Sequence, residues 1–417
     1  MRRSNISINL ERLMRTIEIS GEIGELSKGG ICRLALTDED KQMRDLFVEW
    51  MKMIDLEVRV DDFGNIYGRK EGEDSSAPAI LIGSHLDTQP EGGRYDGILG
   101  VLTALEVLTT FHEQNKVFNN PIEIVNFTNE EGARFSPPLL GSGGLSEQFT
   151  KEFIYSRTDA NKNTFEEELK RIGYQGCKKN RINNIGSYLE LHIEQGPILE
   201  RNGLDIGVVT GIQGMSWMEV KITGKSDHAG STPMNMRTDA LQIATKLIQK
   251  ITDFVVEYDN KALITIGRFI AYPNSINSIP SEVIFSMDIR HSNDTIKEYL
   301  TNIVMEKLNV MACAENASIE INKIWNAESV DFSDCLIQTI SKNAKDLGYS
   351  NQKIVSGAGH DAKYMNKLGL TSMIFVPSQG GKSHCQEEFT SKNSIEKGAN
   401  LLLYTVCQLA KEVETLN

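Results

Sequence analysis

Long apolar segments are missing from this chain of 417 residues. The longest, such as Ala79-Ile-Leu-Ile-Gly83, are far shorter than the roughly 20 residues that cross a membrane, so we expect no membrane contact. The first twenty residues have no continuous apolar core and no small-residue cleavage site, and we interpret them as the first helix rather than a signal peptide. The six cysteines include no CxxC pair, which is typical of reduced thiols. Together these absences predict a cytoplasmic protein.

Positive charge is also scarce, since 44 lysines and arginines stand against 57 aspartates and glutamates, for a net charge of −13. That balance argues against nucleic-acid binding, which needs a basic face, and against binding to an anionic membrane surface. An anionic substrate would therefore need a cation placed at its own binding site. No GxGxxG follows the first strand and no GxSxG occurs, so the sequence predicts neither a dinucleotide-binding loop nor a serine nucleophile.

The chain is long enough for two domains, and its first half alternates helical and strand patterns. Thr37 is typical of a helix N-cap, with Asp40 in the capping-box position, and the helix is predicted to run to about Ile54. Residues 56–70 alternate apolar and polar side chains around an Asp-Phe-Gly-Asn turn, which predicts a hairpin. Strands at 79–85 and 122–128 flank a helix with short loops between them. This order favours an α/β fold with a parallel sheet.

A different pattern occupies residues 212–326, where strands and helices follow the order βαββαβ. This order is typical of a ferredoxin-like α+β sandwich. After Ala327 the pattern of the first half resumes, so the smaller domain is predicted to be an insertion. The expected division is a catalytic domain of residues 1–211 and 327–417 and an inserted domain of residues 212–326. Because an exposed edge strand on such a sandwich commonly pairs with its copy, we also expect a homodimer.

Candidate metal ligands follow the apolar strands, at the ends where α/β folds place their sites. They are His85, Asp87, Asp96, the Glu130-Glu131 pair, His192 and His384. Each alone also fits an ordinary role in a turn or loop. Their coincidence at strand ends, beside Gly or Ser residues that allow close backbone approach, favours a metal site. Imidazole and carboxylate ligands in this mixture suit zinc, and also manganese, cobalt or nickel.

Several longer strings resemble one family. They are GSHLDTQPEGGRYDGILGV, NFTNEEGARF, LELHIEQGPILE, DHAGSTPMNMRTDA, IPSEVIFSMDIRHS, SGAGHDA and MIFVPSQGGKSH. They resemble the hydantoinase/carbamoylase family of amidases, part of the zinc aminopeptidase and carboxypeptidase superfamily, from about Leu10 to the C-terminus. The resemblance implies a zinc-exopeptidase-like catalytic domain with a mixed, largely parallel sheet, and an inserted ferredoxin-like domain for dimerisation and substrate covering.

The resemblance also implies two divalent metal ions per subunit, with Asp96 bridging the ions. The ligands it implies are His85, Asp96, Glu131, His192 and His384. Asp87 resembles a carboxylate that fixes the tautomer of His85. Glu130 resembles the general base, which takes a proton from the attacking water and delivers it to the leaving nitrogen.

Further residues are implicated in substrate binding by the same resemblance. They are Gln195, His228, Asn277, Arg290 and Gly359. His228 resembles an oxyanion donor, and Arg290 supplies a planar cation suited to a carboxylate. Without the resemblance, the sequence favours an ordinary edge-strand arginine, paired with Asp288 or with water. In the family, His228, Asn277 and Arg290 lie on the smaller domain, which implies that this domain closes on the substrate.

The expected reaction is hydrolysis of the ureido C–N bond of an N-carbamoyl-L-amino acid or N-carbamoyl-β-alanine, giving the amino acid, ammonia and carbon dioxide. Allantoate is the alternative ureido acid, and an aminoacylase or dipeptidase is a more distant alternative. Two departures from the family pattern stand out. Cys385 follows His384 where Ser or Asn is more usual, and Gly143-Gly144 replaces bulkier residues, which predicts a wider substrate pocket.

Overall fold

The computed structural model describes residues 6–411. It divides into two compact units, one formed by the chain up to Thr210 and from Phe332 onward, the other by Gly211–Asp331. The second unit starts one residue before the predicted insertion and ends five residues after it, because a short strand at Val330–Asp331 pairs with Ile212 and Gly211. None of the helices within residues 6–411 combines the length and apolar character that a membrane crossing requires.

The helices and strands are numbered separately in chain order. The helices are α1 Leu10–Glu22, α2 Asp38–Met53, α3 Ile98–Glu113, α4 Leu140–Leu145, α5 Lys151–Tyr155, α6 Phe165–Arg171, α7 Ile198–Asn202, α8 Ala240–Tyr258, α9 Asp294–Ala314, α10 Asp334–Asp346, α11 Ala362–Met365 and α12 Lys392–Leu409. The strands are β1 Glu57–Val60, β2 Ile66–Lys70, β3 Ala79–His85, β4 Ile122–Phe127, β5 Ile185–Ile193, β6 Ile206–Ile212, β7 Gly214–Thr223, β8 Leu263–Thr265, β9 Phe269–Tyr272, β10 Glu282–His291, β11 Ser318–Ala327, β12 Val330–Asp331, β13 Asn351–Ser356 and β14 Leu370–Val376.

The first unit is built around a mixed sheet with a parallel centre. Strands β4, β3, β5 and β14 lie side by side in parallel, and the antiparallel hairpin of β1 and β2 extends one edge. On the other side β6 runs antiparallel to β14. Every residue of β3 and β4 is buried, as expected for strands covered on both faces. The prediction of a largely parallel α/β sheet is therefore confirmed.

The start of α2 follows the predicted cap with one difference. The Thr37 side chain accepts the Asp40 N–H, as an N-cap should. The Asp40 carboxylate does not close a capping box on the Thr37 N–H. It accepts the Leu36 N–H at 2.8 Å and pairs at 2.7 Å with Arg44, so that it forms a buried ion pair instead.

The second unit has the predicted ferredoxin-like order, with the sheet arranged β11-β7-β10-β8. Alternate residues of β7 and β10 are buried, and they form one core with the apolar faces of α8 and α9. Where the βαββαβ order predicts one strand between α8 and β10, the structure has two short strands, β8 and β9, which both pair with β10. Between them the Arg268 N–H donates to the Ser286 hydroxyl at 3.0 Å, which interrupts the regular ladder.

Candidate metal centre

The carboxyl ends of the four parallel strands meet at one edge of the first sheet, and the candidate ligands lie there. His85 is the last residue of β3, and His192 is the next-to-last residue of β5. Glu131 follows β4, and His384 lies in the loop between β14 and α12. Parallel strands thus gather side chains that are up to 299 residues apart in the chain.

One group of candidate ligands consists of His85, Asp96 and His192, all buried, with ligand atoms within 4.8 Å of one another. The Asp96 Oδ1 atom lies 3.1 Å from His192 Nε2 and 3.8 Å from His85 Nε2. The Nδ1 atoms contact main-chain carbonyls instead, at 2.9 Å from Asp87 O and 2.8 Å from Ile193 O. Because each Nδ1–H is donated outward, both Nε2 lone pairs face the group, the tautomer that a metal ligand requires.

A second group consists of Asp96, Glu131 and His384, again within 4.8 Å. The His384 Nε2 atom lies 3.5 Å from Asp96 Oδ2 and 3.5 Å from Glu131 Oε2. The two oxygens of Asp96 therefore face different groups, which is the geometry of a carboxylate shared by two ions. His384 has a half-exposed side chain and a positive φ of 55°.

Glu130 is next to Glu131 but belongs to neither group of candidate ligands. Its Oε2 atom lies 3.4 Å from His85 Nε2, and the residue is buried. Burial raises the pKa of Glu130 well above its ordinary value, and the charges of Asp361 and Glu131 act in the same direction. A carboxyl with a raised pKa accepts a proton more readily, as a general base must.

The carboxylate of Asp87 contacts different atoms from those expected. It accepts the main-chain N–H groups of Glu130 and Glu131, both at 3.2 Å. Its nearest oxygen is 3.9 Å from His85 Nδ1, whose partner is the Asp87 carbonyl. The main chain of Asp87 therefore fixes the His85 tautomer, while its side chain holds the loop that carries Glu130.

The electrostatics of the site fit divalent cations. For His192, burial lowers the pKa, but the charge and hydrogen bond of Asp96 outweigh it and raise the value to about 9. Burial and the charge of Asp96 raise the pKa of Glu131 well above its ordinary value. Buried carboxylates whose pKa values are raised by burial and by one another's charges form an environment that divalent cations neutralise. The donor set, imidazole nitrogens with carboxylate oxygens, suits zinc and similar metals.

In a third group, formed by Glu190, His192 and His360, the possible ligand atoms also lie within 4.8 Å of one another. The Glu190 oxygens already accept hydrogen bonds from Ser84 Oγ at 2.7 Å and Tyr188 OH at 3.0 Å. His360 Nε2 lies 3.0 Å from the Ser356 hydroxyl, and its ring packs edge-on against His192. Glu190 and His360 therefore lie against His192 with hydrogen bonds of their own to neighbouring side chains.

Two of the predicted substrate residues lie in the first unit. The Gln195 side chain donates to Asp96 Oδ2 at 2.7 Å, which places it beside the candidate ligands. Its amide oxygen is buried and has no hydrogen-bond partner within residues 6–411. Gly359 lies in the loop after β13, where a Cβ atom would be 4.0 Å from Leu139 Cδ1. Both residues therefore retain room or bonding capacity for a ligand.

The other three predicted substrate residues lie in the second unit. His228 Nδ1 accepts the N–H groups of Gly230 and Ser231, at 3.0 and 3.2 Å, which leaves the exposed Nε2 as an N–H donor. The segment of His228 is bridged to the segment of Asn277 through the Ala229 N–H, which donates to the Asn277 carbonyl at 3.0 Å. Arg290 pairs with Asp288 at 2.7 Å, the alternative that the sequence left open.

The glycine pair at 143–144 does not widen a pocket. A Cβ atom on Gly143 would lie 2.5 Å from the Phe149 ring, and one on Gly144 would lie 2.6 Å from the Phe63 ring. The space beside these glycines is therefore already occupied by aromatic rings. Cys385 is partly exposed beside His384, and no disulfide joins any of the cysteines.

Sequence reasoning missed two buried charged residues near the site. The Arg33 guanidinium is fully buried and donates to the carbonyls of Leu86, Ser20 and Ile23, at 2.8 to 3.2 Å, so it holds the chain just after His85. Burial lowers its pKa to about 10. The second is Glu388, whose carboxylate accepts the Asp96 N–H at 3.0 Å. No local pattern marks either residue, because their partners are distant in sequence or are main-chain atoms.

Gly97 lies directly against the imidazole of the candidate ligand His85. It follows Asp96 with a φ of 68°, and its N–H donates to His192 Nε2 at 3.1 Å. A Cβ atom here would lie 2.3 Å from His85 Nε2. The position therefore requires glycine both for its backbone conformation and for the space beside the imidazole.

Known proteins resemble this chain along nearly its whole length. The model of Peptidase family M20/M25/M40 matches residues 81–408. An N-carbamoyl-L-amino-acid amidohydrolase of Rhizobium meliloti is 37% identical over 410 residues, covering 98% of this chain and 99% of the relative. An allantoate amidohydrolase of Bacillus subtilis (strain 168) is 33% identical, covering 94% of this chain and 96% of the relative. The crystal structure of a hydantoinase/carbamoylase family amidase from Burkholderia multivorans superposes with a TM-score of 0.95 at 40% identity, covering 98% of this chain and 99% of that one.

Proposed function

The chain belongs to the hydantoinase/carbamoylase amidases of Peptidase family M20/M25/M40, and from this membership we propose that it hydrolyses N-carbamoyl amino acids. The substrate is an N-carbamoyl-L-amino acid or N-carbamoyl-β-alanine. Water adds to the ureido carbonyl and the bond to the amino-acid nitrogen breaks. The carbamate released then decomposes, so that the products are the amino acid, ammonia and carbon dioxide.

The observation that carries this proposal is the position of Asp96 between two groups of imidazole and carboxylate ligands. Its Oδ1 faces His192 at 3.1 Å and its Oδ2 faces His384 at 3.5 Å. The residues fit two divalent ions, one held by His85, Asp96 and His192, the other by Asp96, Glu131 and His384. Zinc is the expected metal, and manganese, cobalt or nickel would suit the same donors.

Two divalent ions, when bound, lower the pKa of water and polarise the ureido carbonyl. Glu130, outside both ligand groups, takes the proton from the attacking water and delivers it to the leaving nitrogen. Asp87 keeps the Glu130 loop in place through its bonds to two main-chain N–H groups. His228, with its Nε2–H exposed, stabilises the negative charge that develops on the carbonyl oxygen.

Substrate selection depends on binding the carboxylate of the ureido acid. Arg290, which pairs with Asp288, is the residue we propose to bind it through its planar guanidinium. Asn277 in the second unit, and Gln195 and Gly359 in the first, stay predicted substrate contacts. This arrangement lets a protein with a net charge of −13 bind an acid, because one local cation outweighs the overall field.

The test is a substrate panel on metal-stripped protein refilled in turn with zinc, manganese, cobalt or nickel. Ammonia release is measured from N-carbamoyl-L-methionine, N-carbamoyl-β-alanine and allantoate, with dipeptides and N-acetyl amino acids assayed for cleavage. We expect metal-dependent turnover of an N-carbamoyl amino acid and negligible cleavage of dipeptides. Turnover without metal, or peptides as the best substrates, would refute the proposal.

Allantoate hydrolysis is the second candidate, favoured by the allantoate amidohydrolase relative, which is 33% identical over nearly the whole chain. Allantoate also carries a carboxylate near a ureido carbonyl, so the same residues suit it. Measuring kcat/KM for both substrates distinguishes the two functions. If kcat/KM is at least about tenfold higher for allantoate than for any N-carbamoyl amino acid, allantoate becomes the assigned substrate.

We also propose that the second unit forms a homodimer interface. Strand β11 lies at the edge of its sheet and is largely exposed, a position from which strands pair with a copy of themselves. Light scattering coupled to size-exclusion chromatography should give twice the 46.5 kDa mass of one chain. A monomeric mass at micromolar concentration would exclude the dimer.

A further inference from the structure

Glu388 follows the His384 loop and is buried, although nothing in the proposed reaction uses it. Its Oε1 atom accepts the main-chain N–H groups of Tyr95 and Asp96, at 2.9 and 3.0 Å. These partners are 293 and 292 residues away in the chain. The carboxylate therefore joins the loop of the shared ligand Asp96 to the loop of His384.

Ser383 closes the same arrangement from the side-chain end. Its hydroxyl lies 2.6 Å from Asp96 Oδ2 and 3.0 Å from Glu388 Oε2. Glu388 thus contacts the main chain of Asp96 directly and its side chain through Ser383, the residue that precedes His384. Movement of either loop would break at least one of these bonds.

The space for this carboxylate depends on Gly93. A Cβ atom on Gly93 would lie 2.0 Å from Glu388 Cδ and 2.0 Å from its Oε1 atom. The second glycine of the Gly92-Gly93 pair is therefore explained by contact with Glu388 rather than by turn geometry, since its φ is not positive.

The two ligand groups differ in how firmly their residues are held. His85 and His192 are buried strand residues whose Nδ1 atoms bond to main-chain carbonyls. His384 instead lies in a loop, with 49% of its side chain exposed and φ at 55°. The position of His384 relative to Asp96 depends on the loop contacts, and Glu388 makes those that reach the main chain of Asp96.

We propose that Glu388 is a positioning residue that holds the His384 loop against Asp96 and sets the affinity of the second metal position alone. The inference rests on the proposed function, since it takes the groups of His85 and of His384 as two metal positions. Glu388 contacts the ligands' loops and not the reacting atoms, so its loss changes metal occupancy before it changes chemistry.

Four variants test this in the full-length protein. Glu388→Ala removes the carboxylate, and Gly93→Ala displaces it without altering Glu388. Glu388→Gln keeps an oxygen for the two N–H groups and offers an amide N–H that the Ser383 hydroxyl can accept. Glu387→Ala, at the exposed neighbouring position, is the matched control.

Metal binding is measured by calorimetric titration of the stripped proteins with cobalt(II) and by metal content after dialysis. His384→Ala identifies which of the two ions belongs to the second position. We expect Glu388→Ala and Gly93→Ala to weaken that ion by about 10–100-fold, the usual effect of removing a ligand's support, with the other ion within about threefold of wild type. Glu388→Gln and Glu387→Ala should bind both ions as wild type does, and saturating cobalt should restore kcat to Glu388→Ala.

The inference is overturned if Glu388→Ala binds both ions with wild-type affinity, or if its affinity for both ions falls equally. Failure of the proposed function has a different signature, because it appears in the wild-type protein as fewer than two bound ions or no ureido cleavage. Circular dichroism and thermal unfolding of each variant establish that a lost ion reflects the loop and not loss of the fold.

Discussion

Replacing Gly97 by alanine should disable the first metal position while leaving the fold intact. Gly97 has a φ of 68° and a ψ of −48°, a conformation outside the left-handed helical region that costs a residue with a side chain about 1–3 kcal/mol. The added Cβ would lie 2.3 Å from both Cε1 and Nε2 of His85. Carbon atoms pack at about 3.5–4.0 Å, so the imidazole would have to move by roughly 1.2 Å or more.

Such a movement is large for a metal ligand, whose distances are held to about 0.2 Å. We therefore expect cobalt(II) or zinc affinity at the position of His85 and His192 to fall at least tenfold. The unfolding free energy of the apoprotein should fall by about 2–6 kcal/mol, the sum of backbone strain of about 1–3 kcal/mol and overpacking of about 1–3 kcal/mol.

Gly203→Ala is the matched control. Gly203 follows α7 with a φ of 62°, and nothing lies within 4 Å of the Cβ position. Gly203→Ala should lower the free energy of unfolding only through backbone strain, by about 1–2 kcal/mol, and should leave metal binding unchanged. Urea unfolding and calorimetric metal titration measure both quantities. If Gly97→Ala binds two ions as tightly as Gly203→Ala does, the close packing of Gly97 against His85 is not needed for the metal position.

Three further changes test other parts of the argument. Glu130→Gln should lower kcat by about 10²–10⁴ with unchanged metal content, and full activity would remove Glu130 as the base. Arg290→Ala should raise KM for an N-carbamoyl amino acid by roughly 10–100-fold, from a lost charged hydrogen bond of about 1.5–3 kcal/mol; an unchanged KM in steady-state assays would exclude the carboxylate contact. Asp40→Ala leaves the buried guanidinium of Arg44 without the carboxylate that lies 2.7 Å away, and should lower the free energy of unfolding in urea by about 3–5 kcal/mol. Lys41→Ala breaks an exposed ion pair and should lower it by under about 1 kcal/mol. Equal losses in the two variants would refute the argument from burial.

The sequence predicted best what short-range patterns determine. The buried runs of β3 and β4, separated by a helix, give the parallel centre of the sheet, and polar residues just after them must meet at its carboxyl edge. Five candidate ligands followed from that rule together with the family resemblance, and their side chains do lie together.

The remaining details depend on contacts that no local pattern specifies. Whether the side chain or the carbonyl of Asp87 bonds to His85 depends on loop geometry of about 1 Å, since both are close to the ring. Glu388 meets Asp96 across 292 residues, and Gly143 and Gly144 face aromatic rings rather than a pocket. In each case the residue type was visible in the sequence, but its neighbour was not.

The place of β14 in the sheet also has a consequence for how the protein is made. β14 lies between β5 and β6, yet it leaves the ribosome 183 residues after β5 ends, because residues 211–331 are synthesised in between. At about 5–20 residues per second, β5 waits roughly 10–40 s for its neighbour, and an unpaired edge is open to wrong pairing during that time. The nascent chain can therefore assemble the metal centre only after β14 and the His384 loop have both emerged.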